Sequence, residues 1–342
     1  MGDKTGIQWT DATWNPVTGC SKVSAGCKNC YAERDFPRAY SREFHAITGA
    51  PRKFTDVLTH PSRLDQPLHW RRPRRVFVNS MSDLFHEEIP DTFILEVLDV
   101  IRRTSYDGGS NVGKIGGGCG EHAFQVLTKR PERMRDLMSR LRFRFNPRSE
   151  TESALYLDDD GKRPVVLKNL WLGVSCEDQA TADERIPLLL ETPAAVRFVS
   201  AEPLLGRLSF HRTLGVCVCT AEFEEGAGTH AAHCPATKPR IDWVIVGGES
   251  GPGARECDVE WIRSIVGQCR EASVPCFVKQ LGANVRAAGS DCTPRIEFRD
   301  ANRRWPLDLR DRKGGDPGEW PADLRVREFP FNNEPPSQAR WR

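Results

Sequence analysis

Hydrophobic residues gather in seven short runs, each ending in small or polar residues: GIQWT at 6–10, RVFVN at 75–79, AFQVLT at 123–128, LWLGVS at 170–175, VRFVS at 196–200, DWVIVGG at 242–248 and CFVKQ at 276–280. Continuous runs of this length predict strands buried on both faces of a parallel sheet. Between several of them the period changes. Residues 89–103, 131–141, 180–191 and 258–272 carry apolar side chains at helical spacing opposite charged faces, which predicts helices. Alternation of strand, helix and strand implies right-handed crossovers, so the expected fold class is α/β, a partial TIM-type (β/α)6–7 barrel.

The ends of these runs repeat a second pattern. Four lead through small residues to an acid: Asp83, Glu177, Glu202 and Glu249. Two more end on Lys129 and Lys279. In a β/α barrel such exits share the rim that carries the chemistry. The plainer alternative is that each acid caps the helix that follows. Three stretches read as insertions: a glycine-rich loop at 105–122, a hairpin at 149–169 turning at Asp160–Gly161, and a polar Cys/His-rich segment at 211–240. The barrel is expected over residues 1–283. Strand signals fade in 284–342, a Pro- and charge-rich extension expected to wrap the barrel or stay partly mobile.

A chain of 342 residues is long enough to bury one large core. Its 49 Lys and Arg against 47 Asp and Glu leave a net charge of +2, which by itself points to neither a nucleic-acid coat nor a membrane surface. No run of 18 apolar residues occurs and the start, MGDKTGIQWTD, lacks the apolar core of a signal peptide, so a cytoplasmic protein with no membrane partner is expected. In that compartment twelve cysteines imply ligands, catalytic groups or small buried hydrophobes rather than disulfides.

Three of the cysteines form one motif. TWNPVTGCSKVSAGCKNCYAE spaces Cys20, Cys27 and Cys30 as C-x6-C-x2-C directly after the first expected strand. Three thiolates can hold a four-iron cluster and leave one iron open to a small molecule. Pro16, Gly19 and Gly26 let a loop fold around a cubane, and Lys22 and Lys28 offset its negative charge. The competing reading is a zinc knuckle, which needs a fourth ligand such as His45 or His86.

This cysteine loop, with a partial barrel behind it, resembles the radical S-adenosylmethionine superfamily. More narrowly, WTDATWNPVTGC, MSDLFH, QVLTKRPERM, WLGVSCED, AEPLL, VIVGGESG and DPGEWPADLRVREFP resemble a phage- and prophage-associated family of radical-SAM-like proteins. The resemblance implies that Cys20, Cys27 and Cys30 hold a [4Fe–4S] cluster whose open iron binds S-adenosyl-L-methionine. An external electron donor then drives cleavage to a 5′-deoxyadenosyl radical. The superfamily spacing is C-x3-C-x2-C with an aromatic before the last cysteine, whereas Asn29 stands there in this chain and Tyr31 follows. By position, Ser80 and Asp83 are expected at the methionine end, and Ser175 and Glu177 at the ribose. Gly247, Gly248 and Glu249 supply a Gly-Gly-Glu segment for the adenosine, although tight packing explains two glycines equally well. Glu202, Lys129 and Lys279 are left for substrate binding or proton transfer.

Two further readings are local. Cys217, Cys219, His233 and Cys234 are a candidate zinc set, with His230 nearby, that would organise a stretch too polar to fold alone, the alternatives being metal-free loop cysteines or an auxiliary iron–sulfur cluster. HWRRPRRVF at 69–77 and an Arg-rich helix expected from Arg130 to Arg148 interleave positive charge with Trp70, Phe143 and Phe145, a mixture that can grip phosphates and stack bases, the plainer alternative being a charged solvated helix face. Nucleic acid or nucleotide is the substrate class this favours, with a separate partner protein an additional candidate. The alternative to a radical enzyme is a non-catalytic iron–sulfur or zinc-stabilised module that binds or senses redox state. A zinc hydrolase is disfavoured, because no H-E-x-x-H occurs.

Overall fold

A computed structural model of the chain describes residues 5–40, 43, 49–105, 121–144, 154–210, 213–214, 240–288, 304–306 and 309–330. These fall into two compact units, one from Met1–Val174 with Glu191–Ala195, the other from Ser175–Leu190 with Val196–Asn333.

In the first unit four parallel strands pair in chain order: β1 (Ala12–Trp14), β2 (Arg74–Val78), β3 (His122–Thr128) and β4 (Leu170–Ser175), the last residue of β4 belonging to the second unit. Val76, Phe124 and Leu170 stand level across three strands, and all three are buried. Helix α2 (Asp91–Arg103) buries Ile94, Val97, Leu98 and Ile101 from one stripe. Asp91 in its first turn and Arg102 and Arg103 in its last complement the helix dipole. Helix α3 (Pro131–Ser139) starts with proline, where no backbone donor is needed, and stops short of the helix expected to Arg148, because Leu141–Arg144 forms a strand instead.

The first expected strand is displaced. Residues 6–10 form bends and turns, and the ladder to β2 begins only where Asp11 N donates to Arg75 O at 2.9 Å. The Asp11 carboxylate accepts from both the backbone and the guanidinium of Arg75, which fixes that starting point. Trp9 is buried by edge-on packing against Phe77, 4.7 Å between centroids, rather than by strand pairing. The expected hairpin is also relocated. Leu141–Arg144 pairs antiparallel with Ala154–Leu157, and Asp160–Gly161 lies beyond that pair, where Asp160 Oδ1 accepts from Arg142 Nε at 2.8 Å. A helix the apolar pattern did not announce, α1 (Tyr31–Ala39), begins immediately after Cys30.

The second unit repeats the parallel order with β5 (Val196–Ala201), β6 (Trp243–Gly247) and β7 (Cys276–Gln280). Helix α4 (Gln179–Glu191) follows β4, and α5 (Val259–Glu271) precedes β7. The α5 cap is Asp258, whose side chain accepts from Glu260 N at 2.9 Å. Past residue 283 the structure departs from the expected loss of strands. Val285–Ala288 pairs with Cys257–Asp258 and with Arg304–Pro306. Further on, Val278 N donates to Val326 O and Glu328 N to Cys276 O, so a C-terminal segment lines the outer edge of β7. Short in sequence and rich in polar residues, these pieces are held by strand partners and by the buried Trp320.

Among the described residues the fold is therefore mixed α/β, with one sheet of seven parallel strands met in sequence order. Among the described residues no helix is long and apolar enough to cross a membrane.

Candidate functional site

The cysteine loop lies in the first unit and is pinned at both ends. Gly19 N donates to Met81 O at 3.0 Å and Cys20 N to Phe54 O at 2.8 Å. Gly19 has a φ of +94°, and a Cβ there would stand 2.4 Å from the Asp56 carbonyl oxygen, so only glycine delivers Cys20 to this place. Cys27 closes a short 3-10 turn, Ala25–Cys27, and Cys30 is the residue before α1. At that end the Tyr31 hydroxyl donates to Ser80 O at 2.8 Å.

The exit of β2 is the anchor for this loop. Asn79 adopts a left-handed conformation, φ 63°, that asparagine tolerates better than most residues. Its carboxamide oxygen accepts from Val17 N. Ser80 Oγ exchanges hydrogen bonds with the Asn15 carboxamide, so the hydroxyl is tied to the start of the loop. Asp83 is buried and fully engaged: Oδ1 accepts from Phe85 N and Thr128 Oγ1, and Oδ2 from Lys129 N and Arg130 Nη1. Lys129 thus reaches this cluster through its backbone.

Arg130 links the two features. Its Nη1 approaches Cys20 Sγ at 3.7 Å, its Nη2 donates to Ser21 Oγ at 2.8 Å, and its Nε donates to Glu87 Oε2 at 2.8 Å. Burial pushes the Cys20 thiol up to about 12; Asp83 adds to the rise and Arg130 opposes it. His86 has both ring nitrogens occupied, Nε2 lying 2.8 Å from Ser21 Oγ and Nδ1 accepting from Glu88 N. His45 lies outside the described residues. Among the described residues no group of three His, Cys, Asp or Glu side chains is gathered for a single metal ion. All three thiols are free and part-exposed. His86, the described candidate for a fourth zinc ligand, is thus engaged elsewhere, and a guanidinium stands against the Cys20 sulfur.

The other candidates belong to the second unit. Lys279 Nζ donates to Glu202 Oε1 at 2.6 Å, with Gln280 Nε2 3.4 Å from the same oxygen, and both charged groups are part-exposed. Glu177 is fully buried and pairs with Arg185 at 3.2 Å. Ser175 Oγ donates to Glu202 O, and Arg185 Nη1 donates to Ser175 O. Glu249 is gripped by Arg255, whose Nε and Nη2 reach separate carboxylate oxygens. Gly247 and Gly248 are packing residues: a Cβ on Gly248 would lie 2.1 Å from Leu281 O, and one on Gly247 3.1 Å from Gln280 O.

The four exit acids are accordingly ion-paired rather than helix caps: Asp83 with Arg130, Glu177 with Arg185, Glu202 with Lys279 and Glu249 with Arg255. Of these cations only Lys279 was singled out by sequence reasoning. Arg185 stands two helical turns beyond Glu177 and Arg255 six residues beyond Glu249, spacings that could have flagged both. Cys176, Cys257, Cys269 and Cys276 are buried and form no disulfide, as expected of small hydrophobes. Cys217, Cys219, His233 and Cys234 lie outside the described residues. In the basic stretch Arg75 is committed to Asp11 and Arg74 stacks over Trp70 at 5.2 Å, leaving Arg71 and Arg72 exposed.

No curated protein and no solved structure matches the chain. One family does, described as protein of unknown function (DUF5131), and it covers residues 4–305, from before β1 to beyond β7. The cysteine loop, the anchoring exit of β2 and all four acid–cation pairs fall inside that match, and the chain belongs to the DUF5131 family.

Proposed function

We propose that this DUF5131 chain is a [4Fe–4S] radical S-adenosylmethionine enzyme on a partial TIM-type barrel, with Cys20, Cys27 and Cys30 as the cluster ligands. The observation that carries the reading is the C-x6-C-x2-C loop leaving the first of seven sequentially ordered parallel strands, pinned by Gly19 and flanked by Arg130. When bound, the cluster and S-adenosyl-L-methionine supply hydrogen-abstraction chemistry with an electron from an external donor. The chain's own residues bind and orient. Arg130 brings positive charge to the Cys20 sulfur, Lys22 is paired with Glu33 at 2.8 Å, and Ser80 and Asn15 hold the loop entrance. In the second unit the Lys279 ammonium, donating to Glu202, is the group that can give a proton to a substrate oxygen. Nucleic acid or nucleotide is the substrate class we assign, on the exposed Arg71 and Arg72 beside Trp70.

Anaerobic reconstitution tests the reading. The parent should carry about four irons per chain and release 5′-deoxyadenosine from S-adenosyl-L-methionine after reduction, and Cys27→Ala should lose both. Zinc in place of iron, or undiminished cleavage by Cys27→Ala, overturns it. A parent that loads iron and never cleaves the cofactor is instead the redox-sensing module.

A further inference from the structure

Arg130 commits its entire guanidinium at the cysteine loop. Nε–H goes to Glu87, the two Nη1 hydrogens to Cys20 Sγ and Asp83, and the two Nη2 hydrogens to the hydroxyl and carbonyl oxygens of Ser21. Five donors and five acceptors fix the planar group in one orientation. The anchors come from different places: Asp83 follows β2, Glu87 lies farther along the same loop, and Arg130 itself follows β3, its backbone N–H held by Thr128 Oγ1 at 2.9 Å. A surface arginine recruited only for solubility would not be buried and saturated in this way.

Resting on the iron–sulfur reading above, we infer that Arg130 is a positioning residue that sets the reduction potential of the cluster, by holding one positive charge against the Cys20 sulfur. A fixed cation favours the more negative, reduced state, and hydrogen bonds to ligand sulfurs act in the same direction. Glu87 opposes it, since its carboxylate neutralises part of that charge from the solvent side with a side chain 65% exposed. The two residues should therefore move the potential in opposite directions.

The test is a potentiometric titration of the reconstituted full chain with dithionite, read by cluster absorbance and electron paramagnetic resonance. The couple is one electron taken from the reductant, with no bond or proton exchanged. Arg130→Gln should shift the ratio of reduced to oxidised cluster about tenfold toward oxidised at fixed potential, a midpoint lower by about 59 mV. Arg130→Lys should recover at least half of that shift, and Glu87→Gln should raise the midpoint. An Arg130→Gln protein that loads iron at the parental midpoint overturns the inference, as does a Glu87→Gln shift of zero or of the same sign. Should Arg130→Gln fail to fold, the exposed Glu87 variant decides alone. A parent that binds no iron removes the iron–sulfur reading and this inference together, whereas a cluster indifferent to both residues removes only the inference.

Discussion

Replacing Arg185 with Met takes the ion-pair partner at 3.2 Å from a carboxylate in the interior of the second unit. Glu177 is 0% exposed and the Arg185 side chain 3%, and the pair is separated by 3.2 Å. At an effective dielectric constant near 20, two unit charges at that distance attract by about 5 kcal/mol. Removing one partner of a buried pair typically costs about 3–5 kcal/mol, because the remaining charge keeps its desolvation penalty. Loss of the bond from Arg185 Nη1 to Ser175 O, 2.7 Å long, adds to this. Each kcal/mol lowers Tm by about 2–4 °C in domains of this size, so Arg185→Met should melt at least about 6 °C below the parent. Thermal unfolding followed by circular dichroism at pH 7 reads the effect. The double variant Glu177→Leu/Arg185→Met, which removes the buried carboxylate as well, should recover more than half of the loss. A single variant within about 2 °C of the parent, or a double variant no better than the single, refutes the argument that this pair is buried and mutually dependent.

Two glycines should respond with opposite signs. Gly248→Ala drives a methyl into Leu281 O and should destabilise by about 1–3 kcal/mol, whereas Gly267→Ala, in α5 with open space around it, should stabilise by up to about 1 kcal/mol; chemical denaturation of both variants checks the pair. His122 is buried against Pro67 O, Trp70 and Phe124, and burial pulls its pKa from 6.5 down to about 4. The unfolded chain takes up the proton first, so stability is lost as pH falls from 6.5 towards 4, by about 3 kcal/mol in total. His122→Phe should flatten that slope in melts between pH 7 and 4.5, and an unchanged slope contradicts the assignment. Arg71→Ala/Arg72→Ala should weaken binding of DNA or RNA and reduce the salt dependence by about one unit for each phosphate no longer gripped, and identical salt slopes in fluorescence anisotropy count against the substrate class.

The parallel strands from β2 onward were legible because each is buried on both faces and so leaves an unbroken apolar run, as in RVFVN and LWLGVS. β1 was not, because only Ala12–Trp14 join the ladder while Trp9 is buried by packing on Phe77. Helix α1 hid behind Pro37 and four charged residues in nine, its buried face reduced to Ala32 and Phe36. The hairpin was misplaced because Asp160–Gly161 has turn chemistry, Gly161 at φ +69° and Asp160 accepting from Lys162 N, but no strand pairing across it. At the candidate site the three cysteines, the four acids and Lys279 could be read directly, and Arg185 and Arg255 lie within eight residues of their acids. Arg130 could not, since its place depends on where separate elements come to rest: it meets Cys20 across 110 residues of chain.

The C-terminal segment against β7 has a consequence for biosynthesis. The bonds from Val278 N to Val326 O and from Glu328 N to Cys276 O join residues about fifty positions apart, so during translation the outer strand emerges long before the backbone that will cover it. Until then its amides and carbonyls form an open edge, the kind of surface on which nascent chains pair with one another. Ribosome-bound chains stalled short of Val326 should therefore self-associate, and those released beyond Phe329 should not.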